Sequence, residues 1–274
     1  MKKLLLIILF TSIFTNDAFC SRYISLAPST TEILFSLGLE KEIVGVSSFC
    51  NYPKEVSGKE KVGSFSQPNI EKIIFLKPDY VFCTGLEQSI VVEELKRLNI
   101  KVYVADPKSF SELLRTISDI GEITNTGQVA RQLIDDIENN INDVAKKVRL
   151  LPLDKRKKVF IEIWHDPLTT AGEASFVDEL ITLSGGINIA KNTKRPYSIY
   201  SSEQVIAQNP DCIILAYMAS KSDKEVVAKR IGWGKINAVK NSQIYNDINP
   251  DVLLRPGPRI VQGLKKLHNK LYGE

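Results

Sequence analysis

The sequence predicts an α/β protein of two Rossmann-like lobes, each built on a central, mostly parallel sheet, joined by one long rigid α-helix with a ligand cleft between them. Three features carry this expectation. A helix-to-strand segment recurs in both halves, a second recurrence keeps the same order, and one unbroken amphipathic stretch separates the copies.

The first recurrence spans Glu71 to Phe82 and Glu203 to Ile214. Each copy opens with Glu, places two apolar residues at the third and fourth positions, reaches Pro-Asp at the eighth and ninth (Pro78-Asp79, Pro210-Asp211), and continues into an apolar run. An apolar pair packs a two-turn helix, proline cannot continue it, and the run that follows has the composition of a buried strand. Asn69 and Ser201 stand where N-caps are expected. The second recurrence pairs Glu32 to Gly38 with Glu179 to Gly185, each an amphipathic helix closed by a C-terminal glycine. Offsets of 132 residues for the first pair and 147 for the second keep the two recurrences in one order.

Between the copies, Thr126 to Leu150 carries Val129, Leu133, Ile134, Ile137, Ile141, Val144, Ala145 and Val148 at three-and-four spacing. A single helix of this length is roughly 35 Å long at about 1.5 Å per residue. Asp154 to Lys158 then form a charged link into a strand over 159–163. The expected boundaries are a signal peptide over 1–20, an N-terminal lobe over 21–125, the connecting helix over 126–150 and a C-terminal lobe over 151–274. About 250 residues after the leader exceed the usual size of one core, which agrees with two lobes.

The leader is read from Met1-Lys2-Lys3 followed by the apolar run Leu4 to Phe10 and a polar patch with Ser12, Thr15, Asn16 and Asp17. A basic head and a short apolar stretch mark a secretory signal, and the run is too short to span a membrane. The expected location is the periplasm. Cleavage after Ala18 and cleavage after Cys20 both fit. A lipid anchor on Cys20 is the alternative, which Asp17 and Phe19 disfavour.

Charged residues make up 25% and hydrophobic ones 43%, an ordinary globular composition. The net charge of +4 becomes +3 without Lys2, Lys3 and Asp17, with no basic block, so nucleic acid is not an expected partner. The chain is expected to act as a monomer. Beyond Cys20 the cysteines are Cys50, Cys83 and Cys212, with no CxxC pair. Cys83 and Cys212 fall in apolar runs where a free thiol behaves as a small hydrophobe, so neither a disulfide framework nor a zinc site is expected. Walker A, GxGxxG, GxSxG and HExxH patterns are all absent, and no catalytic residue is expected. Of the two histidines, His268 sits among Lys265, Lys266 and Lys270 and reads as a solvated surface residue, whereas His165 follows a strand.

Taken together in order, several short motifs resemble the periplasmic cobalamin- and siderophore-binding proteins of ABC importers that have a helical backbone between lobes. They are Ile24-Ser25-Leu26-Ala27-Pro28-Ser29-Thr30-Thr31-Glu32, Val44-Gly45-Val46, Tyr52-Pro53, Lys61-Val62-Gly63, Leu183-Ser184-Gly185-Gly186-Ile187-Asn188, Pro196-Tyr197, Trp233, Ala238-Val239-Lys240-Asn241, Ile244-Tyr245 and Arg255-Pro256-Gly257-Pro258-Arg259. The resemblance runs from about residue 22 to the C-terminus, and its opening and closing motifs are most similar to the cobalamin-binding branch.

That resemblance implies an extracytoplasmic solute-binding protein, not an enzyme, that captures cobalamin or another metal-chelate cofactor as cargo and needs no cofactor of its own. It implies that Glu71 and Glu203, one per lobe, dock onto the membrane permease subunits of an ABC importer. Each Glu also suits a helix first turn on electrostatic grounds alone, but that does not require matching positions in both lobes. Positions matching family ligand contacts are Pro28, Ser29 and Thr30 in the first loop, then Phe49, Phe65, Thr84, Trp164, Tyr197, Asp251 and Arg255. Aromatic faces suit a broad ring. Phe65 and Thr84 stand where the family usually has Trp or Tyr. Phe49 and Phe65 also fit ordinary core packing, and Asp251 and Arg255 also fit a mutual ion pair. Ferric siderophore or haem capture is the alternative, with Arg255, Lys194 and Arg195 as its basic candidates. An exported α/β enzyme is the second alternative.

Overall fold

The computed structural model describes residues 21–218 and 223–273, and the leader, with both cleavage positions and Cys20, lies outside the described residues. The first half runs β1 (Tyr23–Ser25), α1 (Pro28–Ser36), β2 (Ile43–Val46), α2 (Ile70–Phe75), β3 (Tyr80–Cys83), α3 (Ser89–Arg97), β4 (Val102–Val104) and α4 (Phe110–Ile123). After α5 (Gly127–Arg149) come β5 (Lys158–His165), β6 (Leu168–Ala171), α6 (Phe176–Leu183), β7 (Ile187–Asn188), β8 (Tyr197–Ile199), α7 (Ser202–Gln208) and β9 (Cys212–Leu215). The chain ends with α8 (Lys224–Ala228), α9 (Asn237–Lys240), β10 (Ile244–Tyr245), α10 (Asp251–Leu254) and α11 (Ile260–Tyr272).

Two separate sheets result. The first is parallel throughout in the order β2-β1-β3-β4. The second has the order β10-β9-β5-β6-β8 with β7 beside β5; β6 and β8 join by antiparallel pairing and the rest are parallel.

Side chains alternate across each strand, so each sheet has two apolar faces. Tyr23 and Phe82 of the first sheet and Val159, Ile161, Cys212 and Ile214 of the second share one core with buried residues of α4, α5, α6 and α11. The opposite faces carry separate cores, Ile24, Val81 and Cys83 on the first sheet and Phe160, Ile213 and Leu215 on the second. The lobes are therefore fused through a helical layer. Phe110 of α4 and Phe176 of α6 lie 4.7 Å apart by ring centroid. The Phe110 backbone N–H also donates to the Glu179 carboxylate at 2.7 Å.

The connecting helix covers the expected segment. It buries Ala130, Ile137, Val144 and Val148 and lies against α4, α6 and α11, so it is seated in the shared core and does not cross solvent. The caps also fall where the pattern puts them. Asn69 accepts from Lys72 N at 2.9 Å, and Ser201 forms a capping box with Gln204. Gly38 and Gly185 close α1 and α6 at φ +80° and +89°, a conformation that favours glycine.

One expectation is overturned here. His268 is buried, with Nδ1 3.0 Å from the Ser184 carbonyl oxygen and its ring 5.4 Å from that of Tyr272. Leu264, Leu267, His268 and Leu271 form the three-and-four stripe that α11 turns inward, and the neighbouring lysines mark the other face. Cys50, Cys83 and Cys212 are unpaired and buried, and burial pushes the Cys83 and Cys212 thiols up to about 12. Among the described residues no helix is long and apolar enough to cross a membrane.

Candidate functional site

A hydrogen-bonded contact at one edge and a charged neighbourhood at the other show how the sheets face each other. Asn51, in the loop after β2, accepts from Arg255 Nη1 at 2.6 Å and donates to Asp251 at 3.3 Å; both partners follow β10. At the other edge, Tyr197 opens β8 and lies near Asp106, after β4, and Glu87, after β3. Burial first, then these carboxylates, push its phenol above the usual range. Half of the Tyr197 surface is still open to solvent (50%), so the ring stands in a crowded but accessible place. β2 and β10 are edge strands, as are β4 and β8, so the sheets meet rim to rim in matching order. This sets the ends of β1 and β3 opposite those of β9 and β5, the position where open α/β sheets bind ligands.

On the first rim, Phe49 is 56% exposed and Phe65 half-buried, their rings 6.5 Å apart and edge to face at 76°. Neither ring belongs to the described core clusters. Thr84, half-buried, follows β3. A residue not anticipated from sequence ties these pieces together. The fully buried Gln88 donates to Leu26 O at 3.0 Å and Phe65 O at 2.7 Å, and accepts from Thr84 N at 2.8 Å. One amide thus joins the segments after β1 and β3 to the Phe65 loop.

Pro28, Ser29 and Thr30 are expected in a loop but form the first turn of α1. Proline fits that position because its missing N–H has no helical partner there and its φ is already helical. Pro28 and Ser29 are half-buried at the rim, whereas Thr30 is buried, its hydroxyl bonded to Ala27 O at 2.9 Å and Ser25 Oγ at 3.0 Å.

On the second rim, Trp164 falls just past the strand expected over 159–163 but lies within β5. Antiparallel pairing of Trp164 with Thr169 and His165 with Leu168 extends the strand and turns it over at Asp166-Pro167. The Trp164 ring is 4.9 Å from His165 and 6.2 Å from Tyr217, and its Nε1 donates to Asp166 O at 2.8 Å. Exposed His165 is also 5.7 Å from Tyr217, an aromatic neighbour that no local sequence pattern marks. Lys194 and Arg195 are exposed.

Asp251 and Arg255 pair with each other at 2.9 Å, and both side chains are largely buried. They belong to a wider cluster in which Arg259 clasps Glu32 through bonds of 2.8 and 2.5 Å and lies 3.7 Å from the Tyr52 ring centroid. Arg255 Nε is buried without a protein partner. Burial is the first cause that lowers the Arg255 pKa, opposed by Asp251 and Glu32.

Glu71 and Glu203 are exposed in the first turns of α2 and α7. Each of these helices leads into a parallel strand and so begins at the rim where the strands end. Bonds from its own backbone N–H and from Ser201 hold the Glu203 carboxyl below the usual range. An open depression of about 460 Å³ lies at the opposite rim of the second sheet, lined by Arg156, Lys157, Asp211 and Gln243 among others. It shares no residue with the facing rims and has no aromatic wall.

Residues 24–249 match the periplasmic binding protein family. The chain is 36% identical to an uncharacterized ABC transporter substrate-binding lipoprotein of Bacillus subtilis (strain 168), covering 92% of this chain and 80% of that one. It is 33% identical to the vitamin B12-binding protein of Salmonella paratyphi A, covering 91% and 90%. A crystal structure of a protein from Staphylococcus epidermidis, described as a possible iron-binding (periplasmic solute-binding) protein, superposes with a TM-score of 0.80 at 34% identity, covering 92% and 98%. A family match over most of the sequence, and two facing sheets joined by a core-seated helix, place the chain in the periplasmic binding protein family.

Proposed function

We propose that the chain is the extracytoplasmic substrate-binding component of an ABC importer, that it binds cobalamin or a related corrinoid without transforming it, and that it delivers this cargo to a membrane permease. The observation that carries the reading is the presence of accessible aromatic rings on both rims: Phe49 and Phe65 on one side, Trp164 and Tyr197 on the other. Stiff apolar faces suit a wide macrocycle, and polar groups at the margin orient its amides. Arg255, with a buried Nε left free, is such a group. Similarity to a vitamin B12-binding protein over nine-tenths of both chains supports the choice. The basic-apolar leader, and a lipoprotein among the relatives, support a location outside the cytoplasm.

An iron chelate or haem is the second reading. Exposed His165 beside Trp164 favours it, because imidazole is a good metal ligand and the ring lies 4.9 Å from that indole. So does likeness to the Staphylococcus epidermidis protein. Titrating the purified protein in parallel with cyanocobalamin, haem and a ferric catecholate separates the two. Saturable binding of only an iron compound removes the corrinoid reading, and turnover of any ligand without a transporter removes the binding-protein reading.

Docking rests on Glu71 and Glu203, whose exposed carboxylates begin equivalent helices at the same rim. Permease arginines are the complementary partners. Glu71→Arg combined with Glu203→Arg is expected to abolish uptake while leaving ligand affinity unchanged. Uptake that survives the double variant refutes this docking mode.

A further inference from the structure

Behind the exposed rings of the second lobe lies a buried ionic group that the ligand reading does not use. On β5, Phe160, Glu162 and Trp164 follow at intervals of two, and β9 leads from Ile213 and Leu215 to Tyr217 in the same way. Phe160, Ile213 and Leu215 belong to the outer apolar core, so Glu162 sends its carboxylate into the same layer, where it is fully buried (0% exposed). A carboxylate there is strongly unfavourable unless its charge and lone pairs are met. Both oxygens are met. Arg230 donates from Nη1 to Oε2 and from Nη2 to Oε1, each at 2.7 Å, and the Tyr217 hydroxyl donates to Oε1. Arg230 in turn lies 4.6 Å from the Trp233 ring, which packs on Phe160 at 6.3 Å.

The arginine alone neutralises the carboxylate, so the third bond does something else. Tyr217 stands where the chain leaves β9, its ring nearly buried (7% exposed) behind Trp164 and His165. Its hydroxyl is its only side-chain polar atom, and bonding it to Glu162 anchors the far end of the ring, which holds the direction of its long axis. Burial and the adjoining carboxylate raise the phenol pKa, which keeps the hydroxyl a donor. The ladder register between β5 and β6 slips between Glu162 and Trp164, so strand pairing alone does not set where Trp164 points. The Tyr217 ring supplies support on one side, and the Asp166 carbonyl on the other.

We propose that Glu162, Arg230 and Tyr217 are positioning residues that hold the Trp164–His165 face in the orientation a broad ring ligand needs. Its purpose rests on the ligand-binding reading above, while its geometry is tested without any ligand. Trp164 is one of two tryptophans, so Trp233→Phe leaves it as the sole indole, which red-edge excitation reads apart from the tyrosines. In that background, acrylamide quenching of Trp164 and saturation binding of cyanocobalamin are measured for Tyr217→Phe and Glu162→Gln, well below each unfolding midpoint. Both variants are expected to raise the quenching constant about twofold or more, and Tyr217→Phe is expected to weaken cyanocobalamin binding about tenfold. A purely structural role lowers the midpoint and leaves quenching as it was. If Glu162→Gln does not fold, Tyr217→Phe, which loses one hydroxyl and keeps its ring, decides alone. Unchanged quenching overturns the proposal, and so does altered quenching with unchanged affinity in a parent that binds cyanocobalamin. A parent that binds no cyanocobalamin, yet shows the quenching change, supports the positioning role and removes the corrinoid reading instead.

Discussion

Arg259, the residue that opens the last helix, holds Glu32 of the first helix through two nitrogen–oxygen bonds of 2.8 and 2.5 Å, across 227 residues of sequence. The Glu32 side chain is only 3% exposed, and Arg259 is its hydrogen-bonded partner, with Arg255 Nη1 further off at 3.9 Å. Breaking a buried pair by removing one member costs about 3–5 kcal/mol, because the other charge is stranded. Arg259→Ala and Glu32→Ala are each expected to lower stability by about this amount in urea unfolding. A double-mutant cycle is expected to give a coupling above about 1 kcal/mol. Independent, additive effects refute the pairing.

Gln88 makes three bonds from a fully buried amide to three separate segments of the first rim. Gln88→Leu keeps the bulk but strands buried donors and acceptors, at a cost of about 1–3 kcal/mol. Faster amide exchange at Thr84, whose N–H the Gln88 oxygen receives, is the local signature to measure. Protection equal to that of the parent refutes the role given to Gln88.

The alkaline limb of stability follows from the thiols. Cys83 and Cys212 are raised by burial from 9.0 to about 12, so between those values the unfolded chain binds fewer protons than the native one. Stability is therefore undiminished by these groups below about pH 9 and declines above it, with a limiting slope of about 1.4 kcal/mol per pH unit for each thiol. Both thiols are expected to resist an aromatic disulfide reagent at pH 8 until the protein unfolds. Rapid native reaction at either position refutes this.

The shared core predicts little relative movement of the lobes. Phe110 against Phe176, the Phe110 N–H on Glu179, and α5 along both halves would all have to part before the lobes swung apart. The radius of gyration from small-angle scattering is expected to change by less than about 1 Å on ligand binding, in contrast to the larger compaction of hinge-closing proteins. A larger change refutes the fused-core description.

Much of this architecture is legible in sequence because local rules set it. The Pro-Asp stops, Asn69 and Ser201 caps, closing glycines and the three-and-four stripe of α5 are each decided within a few residues of chain. What escapes depends on partners far away. Glu32, in the first turns of an ordinary helix, shows no sign of Arg259. His268 among lysines hides the inward stripe it shares with Leu264, Leu267 and Leu271. Trp164 reads as a loop residue because nothing nearby reveals that Leu168 and Thr169 return to pair with it. Gln88 has no local pattern at all, since its three partners lie on separate segments. Glu162 did leave a trace, as the one carboxylate in the apolar run from Val159 to Ile163. A charge there calls for a partner, but the sequence alone does not point to Arg230.

The hairpin of β5 and β6 makes the two facing halves unlike in chemistry even though their cores repeat one another. One side offers a pair of phenylalanines, the other an indole, an imidazole and the Tyr197 phenol. A guest with two distinguishable sides would then settle one way round, and whatever receives it would meet the same end first on every delivery.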